Sequence, residues 1–219
     1  MSKKTKFYAV KNGKKPGIYY TWEECLVQVD GYPNAIYKSF KTLDEANEFL
    51  TGKTTTKKVN ITKDINNDIE DKISKLKNNE AIAFVDGSYM EDKDFRLVGF
   101  GILIIFNKEQ TKLSGIVSNP DLLDFRNVTG EIFAAKNAIT WAINHNVKTL
   151  TIYYDYEGIR SWALGKWKTN NELTTSYAAF IDIAKKDLKI KFEKVLAHSG
   201  IIYNEIVDEL AKEAINRNK

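Results

Sequence analysis

The sequence predicts an α/β protein: five strands flanked by helices over residues 80–219, preceded by a small α+β domain of three strands and two helices over residues 1–50. Three observations predict it. In the second part, apolar strand-like runs come first in series and then alternate with helical periods, the order expected of an α/β layer fold. In the first part, two capping-box patterns each follow a strand-like run. Between the two, residues 51–79 turn polar and lose any sustained period, which marks a boundary.

The front domain opens with FYAV, the turn NGKKPG and IYY, which read as a hairpin of two short strands. Thr21-x-x-Glu24 then starts a helix: Thr21 can accept from a first-turn amide while Glu24 reaches back to the cap. Leu26 and Val29 are placed on its buried face. After Gly31-Tyr32-Pro33-Asn34, IYKSF is the third strand, and Thr42-x-x-Glu45 starts a second helix carrying Ala46, Phe49 and Leu50. So short a unit has a thin core, which predicts modest stability alone.

Residues 51–79 are rich in Lys, Thr, Asn and Asp and are read as a flexible polar linker. The spacing of Ile65, Ile69, Ile73 and Leu76 also suits a short helix.

From Ala81 the texture changes. The strands AIAFV, FGILIIF and TKLSGIV follow one another, and a helix begins near Thr129 with Ile132, Ala135, Ile139 and Ala142 on one face. TLTIYY is the next strand. Helical patterns over 156–164 and 174–186, the strand KIKFEKVL and a last helix from Asn204 complete the chain.

Of the 219 residues, 43% are hydrophobic and 12% aromatic, which excludes wholesale disorder. A single cysteine, Cys25, excludes an intrachain disulfide and a thiolate zinc site. No apolar run reaches spanning length, and none follows the lysines at the start. A cytoplasmic protein with no membrane partner is expected. The net charge of +4 permits a polyanionic partner, and Lys3, Lys4, Lys6, Lys11, Lys14 and Lys15 are interleaved with Phe7, Tyr8, Tyr19 and Tyr20, a mixture suited to nucleic acid.

Asp86 and Asp155 each stand just past the end of a buried-looking strand, where open α/β sheets place their sites. Glu131 falls in the first turn of the helix that Thr129 would cap, and Asp208 lies on the last helix, one turn after Asn204. Taken singly, each has an ordinary reading: a favourable charge near a helix N-terminus, a turn acid, an exposed helical acid. If they converge, they form a self-repelling cluster with raised pKa values unless cations fill it, and hard divalent ions with oxygen ligands are the natural filling. Such ions allow water to attack a phosphodiester with no nucleophilic side chain.

Asp86-Gly87-Ser88, Asn127-x-x-x-Glu131, Asp155, the AHSG segment with His198, and Asn204-Glu205-x-x-Asp208-Glu209-Leu210-Ala211 stand in that order over residues 81 to 216. Together they resemble the active-site series of type 1 ribonuclease H. FYAV, the Gly-Lys-Lys turn, TWEEC, QVDGYP and YKSF resemble the small RNA/DNA hybrid-binding, viroplasmin-like domain that many cellular members carry, also found in a plant-virus inclusion protein.

The resemblance implies a ribonuclease H-like mixed five-stranded sheet. It divides the chain into a hybrid-binding domain (1–50), a linker (51–79) and a catalytic domain (80–219). It implies a monomeric, Mg²⁺-dependent endoribonuclease that hydrolyses the RNA strand of RNA/DNA hybrids. The mechanism would use two metal ions, with Mn²⁺ as an alternative and no small-molecule cofactor, and would leave 5′-phosphate and 3′-hydroxyl ends. Asp86 would bridge the ions, Asp208 complete the water-activating site, Glu131 and Asp155 hold the ion at the leaving oxygen, and His198 aid proton movement or product departure. Asn127, with the backbone at Gly87 and Ser88, would read the RNA 2′-hydroxyl, and Thr174 would meet a DNA phosphate. In the front domain, Trp22 and Tyr37 would pack on DNA sugars, Lys38 on a phosphate, and amides near Asn34 on RNA hydroxyls.

Four departures stand beside it. Val128 replaces a usual amide, Ser39 a usual lysine, Gly31 an occasional basic residue, and residues 162–177 lack an extended basic helix. Two other readings are a hybrid-binding protein without nuclease activity and an integrase or transposase on the same superfold.

Overall fold

A computed structural model describes residues 6–52, 56–196 and 200–219. The chain divides into two compact units, residues 1–63 and 64–219.

In the first unit, β1 (Phe7–Asn12), β2 (Gly17–Tyr19) and β3 (Ile36–Phe40) form an antiparallel sheet in the order β2-β1-β3. Helices α1 (Trp22–Val29) and α2 (Leu43–Thr51) pack on it, and both capping boxes form as the sequence predicts. Thr21 accepts from the Glu24 amide at 3.2 Å, and the Glu24 carboxylate accepts from the Thr21 amide at 3.3 Å. The inward face of α1 differs from expectation. Cys25 and Val29, four residues apart, are buried, whereas Leu26 is 40% exposed. Because i and i+4 share a helix face while i+1 turns about 100° away, the small Cys25 can set the face and turn Leu26 outward. The core is thin as predicted: Val10, Cys25 and Val29 cluster with Tyr8, Tyr19 and Ala35 around them, and the small Ala9 and Ala46 are also buried.

The second unit holds a five-stranded mixed sheet in the order β6-β5-β4-β7-β8. Strands β4 (Glu80–Glu91), β5 (Arg96–Phe106) and β6 (Glu109–Ile116) form the antiparallel meander. Strands β7 (Thr149–Tyr154) and β8 (Lys189–Lys194) add in parallel, after crossovers through α4 (Asn127–Asn144) and through α5 (Gly158–Ala163) with α6 (Glu172–Ala184). The last helix, α7, spans Ile202–Asn216.

Strand alternation sorts the core between the two faces of the sheet. Ala81, Ala83, Val85, Ile102 and Ile104 join Ile132, Ala135, Ile139 and Ala142 of α4 and Tyr177 and Ile181 of α6. Ile82, Phe84, Leu103 and Ile105 join Tyr203 and Val207 of α7. Phe84 stacks between Tyr153 and Tyr203, with ring centroids 4.8 and 4.9 Å away.

The second face also receives a helix where the sequence reads as a flexible linker. Residues Thr56–Ser74 form α3, whose Ile69 is 1% exposed and whose Ile65 and Ile73 flank it, with Leu76 just beyond the helix. The polar composition of 51–79 hides a sparse apolar stripe, one residue per turn. That stripe suffices because α7 and the sheet supply the rest of the groove.

Candidate active site

Asp86 does not end its strand. β4 runs on to Glu91 against β5, pairing Asp86 with Gly101. What ends is the parallel partner: β7 pairs with β4 only as far as Phe84↔Tyr153. Asp86 therefore stands just beyond the point where β4 loses one neighbour, and Asp155 is the first residue after β7. The apolar run stops at Asp86 because the cover from β7 stops there, while the ladder to β5 continues.

Glu131 arrives from α4. The helix starts at Asn127, two residues earlier than the sequence predicts, with Arg126 at its N-cap and at a positive φ of 52°. Thr129 is not the cap. It is buried in the first turn, and its hydroxyl donates to the Leu122 carbonyl at 2.7 Å, tying the helix to a 3₁₀ turn over Pro120–Phe125. Arg126 offers no capping side chain, which is why the sequence points to Thr129 instead.

The first turn of α4 lies against β4 backbone to backbone. A Cβ on Gly87 would sit 2.3 Å from the Asn127 carbonyl oxygen and 2.4 Å from the Glu131 nitrogen, and one on Gly130 would sit 2.4 Å from the Gly99 carbonyl oxygen. On the other face, Cβ atoms on Gly99 and Gly101 would meet the Ala211 and Val207 carbonyls of α7 at 2.2 and 2.1 Å. Glycine is required at each of these approaches. They seat α4 and α7 on opposite faces of the same strand pair.

The result is a cluster in which Asp86, Glu131 and Asp155 each offer a carboxylate oxygen, all within 4.8 Å of one another. Glu131 is 2% exposed and its Oε2 has no hydrogen-bond partner. Burial, then the Asp155 and Asp86 charges, push its carboxyl up to about 9 against the opposing Tyr156 amide. Asp86 is 8% exposed and is pushed up to about 7 by burial and by Asp155, with Asp208 adding to the push. The Gly87 amide, donating to Asp86 Oδ1 at 2.7 Å, and Lys212 oppose that rise. An orphaned buried oxygen among mutually repelling carboxylates fits a bound cation, and the all-oxygen donor set suits a hard one.

Asp208 lies near enough on α7 to act electrostatically on Asp86, but it is not one of the three clustered acids. Its Oδ2 is paired with Lys212 at 2.5 Å, an i,i+4 contact whose spacing is visible in the sequence but whose meaning is not. His198 lies outside the described residues. Asn127 is exposed at the start of α4, whereas Val128 packs on the core, so the apolar replacement has a structural use. Thr174 is 3% exposed and its hydroxyl bonds Asn171, the cap of α6, which occupies the group expected to face a phosphate. Sequence reasoning missed Tyr156, whose amide supports Glu131 and whose ring meets Trp162 and Trp167 at 5.8 and 6.2 Å.

In the first unit, Trp22 and Tyr37 lie 5.9 Å apart, 39% and 45% exposed, with Tyr8 a further 5.8 Å from Trp22. This is a surface of mutually tilted aromatic rings on a sheet whose third strand is largely exposed, and Lys38, next to Tyr37 on that strand, is exposed. Asn34 takes a left-handed conformation and its carbonyl accepts from Asn12 at 2.7 Å.

A mixed sheet with acids gathered where its parallel strands end, preceded by a small domain presenting an aromatic face, defines a two-domain α/β protein with a carboxylate centre able to hold a cation. Residues 77–216 match the RNase H family and residues 6–50 match the ribonuclease H1 N-terminal domain. The chain belongs to the ribonuclease H family and carries that N-terminal domain ahead of its catalytic fold. Ribonuclease H1 of Homo sapiens is 28% identical to it, over 97% of this chain and 90% of the human protein. Among solved structures, RNase H1 of the halophilic archaeon Halobacterium salinarum NRC-1 shares the fold at TM-score 0.52 and 16% identity, covering 63% of this chain and 98% of that one. LC11-RNase H1, solved in complex with RNA/DNA hybrid, does so at TM-score 0.51 and 18% identity, covering 63% and 98%.

Proposed function

We propose that the protein hydrolyses the RNA strand of RNA/DNA hybrids, with the cluster of Asp86, Glu131 and Asp155 as its centre. The observation that carries this reading is the convergence of the three carboxylates within 4.8 Å around an unpartnered, buried Glu131 oxygen. Family membership and the relatives' names support the choice of substrate.

Mg²⁺, or Mn²⁺ in its place, would be held as a pair by Asp86, Glu131 and Asp155 with Asp208. When bound, it supplies Lewis-acid stabilisation of the phosphodiester and a more acidic water. The remaining work belongs to the chain. Asp86 and Glu131 are held by backbone contacts at Gly87 and Gly130, so their oxygens are placed before substrate arrives. Asn127 stands exposed at the start of α4, one turn before Glu131, and would meet the 2′-hydroxyl beside the scissile phosphate, the group that separates RNA from DNA. Water as attacker needs no nucleophilic side chain, and its in-line attack would form the new P–O bond as the bond to the 3′ oxygen breaks, leaving a 5′-phosphate and, once that oxygen is protonated, a 3′-hydroxyl. Trp22 and Tyr37 would take the DNA sugars and Lys38 a phosphate, so the first unit would raise the local concentration of hybrid.

One labelled sequence presented as RNA/DNA hybrid, RNA/RNA, DNA/DNA and single-stranded RNA tests the reading. Cutting confined to the RNA of the hybrid and abolished by chelator is expected. Hybrid bound but left intact would make the protein a recognition module, and cleavage of all-DNA duplex would move it to another activity of the superfold.

A further inference from the structure

Helix α7 begins without a cap of its own. Ile201 stands at its N-cap and offers no side-chain acceptor, so the first-turn amides need a partner from elsewhere. One comes from α3. Asn66 Oδ1 accepts from the Ile202 amide at 3.2 Å, while Asn66 Nδ2 donates to the Gly200 carbonyl at 3.1 Å. One amide side chain thus holds both sides of the turn leading into α7. A helical turn further along α3, Glu70 accepts from the Tyr203 hydroxyl at 2.8 Å, and Ile69 is buried between these two contacts. The turn itself uses Gly200 at φ 77°, a left-handed geometry that needs outside support to persist.

We infer that Asn66 is a positioning residue for catalysis: it caps α7 in trans and thereby sets the helix that carries Asp208 toward Asp86. Asn66 precedes the matched family domain, which starts at residue 77, so the segment joining the two domains supplies a working part of the catalytic unit. Asp208 lies six residues beyond Ile202, under two turns from the capped end, so loss of the cap frays the stretch that must stay in register with β4. Lys212, paired with Asp208, moves with it. The activity part of this inference rests on the hydrolase reading, and the structural part does not.

The test uses the full chain with Asn66→Ala and Asn66→Asp. Asn66→Asp keeps an acceptor for the Ile202 amide and loses the donor to Gly200. In Asn66→Ala, amides of residues 202–206 should exchange roughly fivefold faster with deuterium, the equivalent of one lost cap, while amides of residues 80–86 stay unchanged. On hybrid substrate, kcat should fall about tenfold with KM held within about twofold, since misplacement of a catalytic group costs rate and not binding. Asn66→Asp should fall between the two, and it carries the test if Asn66→Ala does not fold. Unchanged exchange at 202–206 overturns the inference, as does an equal rise at 80–86 or a change in KM alone. A wild-type protein that cuts no hybrid removes the proposed function and leaves the exchange result to decide the cap.

Discussion

Gly130 and Gly87 meet across the boundary between α4 and β4: a Cβ on Gly130 would lie 2.8 Å from the Gly87 Cα. Each glycine immediately precedes or follows a carboxylate of the centre, Gly130 before Glu131 and Gly87 after Asp86. The distance between the two acids is therefore set by main chain. Gly130→Ala should destabilise the protein by about 1–3 kcal/mol or more, because the clash is with backbone that cannot rotate away, and should lower activity beyond the loss of folded protein. Denaturant unfolding and hydrolysis measured on the same preparation check this. An unchanged unfolding midpoint would contradict it.

Ile69 tests the docking of α3. Buried to 1% against the α7 face of the sheet, it should cost about 2–5 kcal/mol on replacement by alanine. Lys75→Ala removes an exposed pair with Asp71 and should change stability by no more than about 0.5 kcal/mol. Equal, small effects of the two would return residues 56–74 to the status of a tether.

Two acids with raised pKa values make the cation-free protein sensitive to pH in a defined direction. Below about pH 4 both folded and unfolded chains hold these protons. Between there and about pH 9, the unfolded chain ionises Asp86 and Glu131 while the folded chain resists, so it binds more protons and loses stability as pH rises. The thermal midpoint in chelator should fall from pH 5 to pH 8, and Glu131→Gln should flatten the slope. Added Mg²⁺ should raise the midpoint more at pH 8 than at pH 5. A midpoint indifferent to both changes would count against a cation site.

Trp22 should act on binding and not on chemistry. Exposed at 39% beside Tyr37, it offers one stacking surface, worth about 1–3 kcal/mol by alanine substitution. Trp22→Ala should weaken hybrid binding by about fivefold or more and leave kcat at saturating substrate unchanged. Titration of a labelled hybrid reads the first, and steady-state hydrolysis the second.

Much of this was legible in the chain because local rules and tertiary needs agreed. Thr21 with Glu24 and Thr42 with Glu45 form the predicted boxes, TLTIYY forms β7 residue for residue, and three of the four acids singled out, Asp86, Glu131 and Asp155, lie together. What was illegible depended on partners distant in sequence. Asp86 looked like a strand end because the loss of β7 as a neighbour and the loss of the strand leave the same mark on an apolar run. Residues 51–79 read as a linker by composition, while the Ile65, Ile69, Ile73 and Leu76 spacing that suits a helix is the stripe α3 docks, because one apolar residue each turn is a weak signal until the groove that receives it is known. The α4 start was misplaced by two residues because Arg126 caps through backbone alone. The roles of Gly99, Gly101 and Gly130 are invisible in sequence, since nothing there records which backbone will press on them.

The central claim is that Asp86 joins Glu131 and Asp155 in a cation-dependent hydrolytic centre. The measurement that tests it most directly compares wild type and Asp86→Asn for cleavage of an RNA/DNA hybrid in Mg²⁺, with hybrid affinity measured in parallel. Loss of cleavage by at least about a thousandfold with affinity retained is the predicted result, as expected for removal of a group acting in the transition state. Sustained turnover by Asp86→Asn at a rate near that of wild type would contradict it.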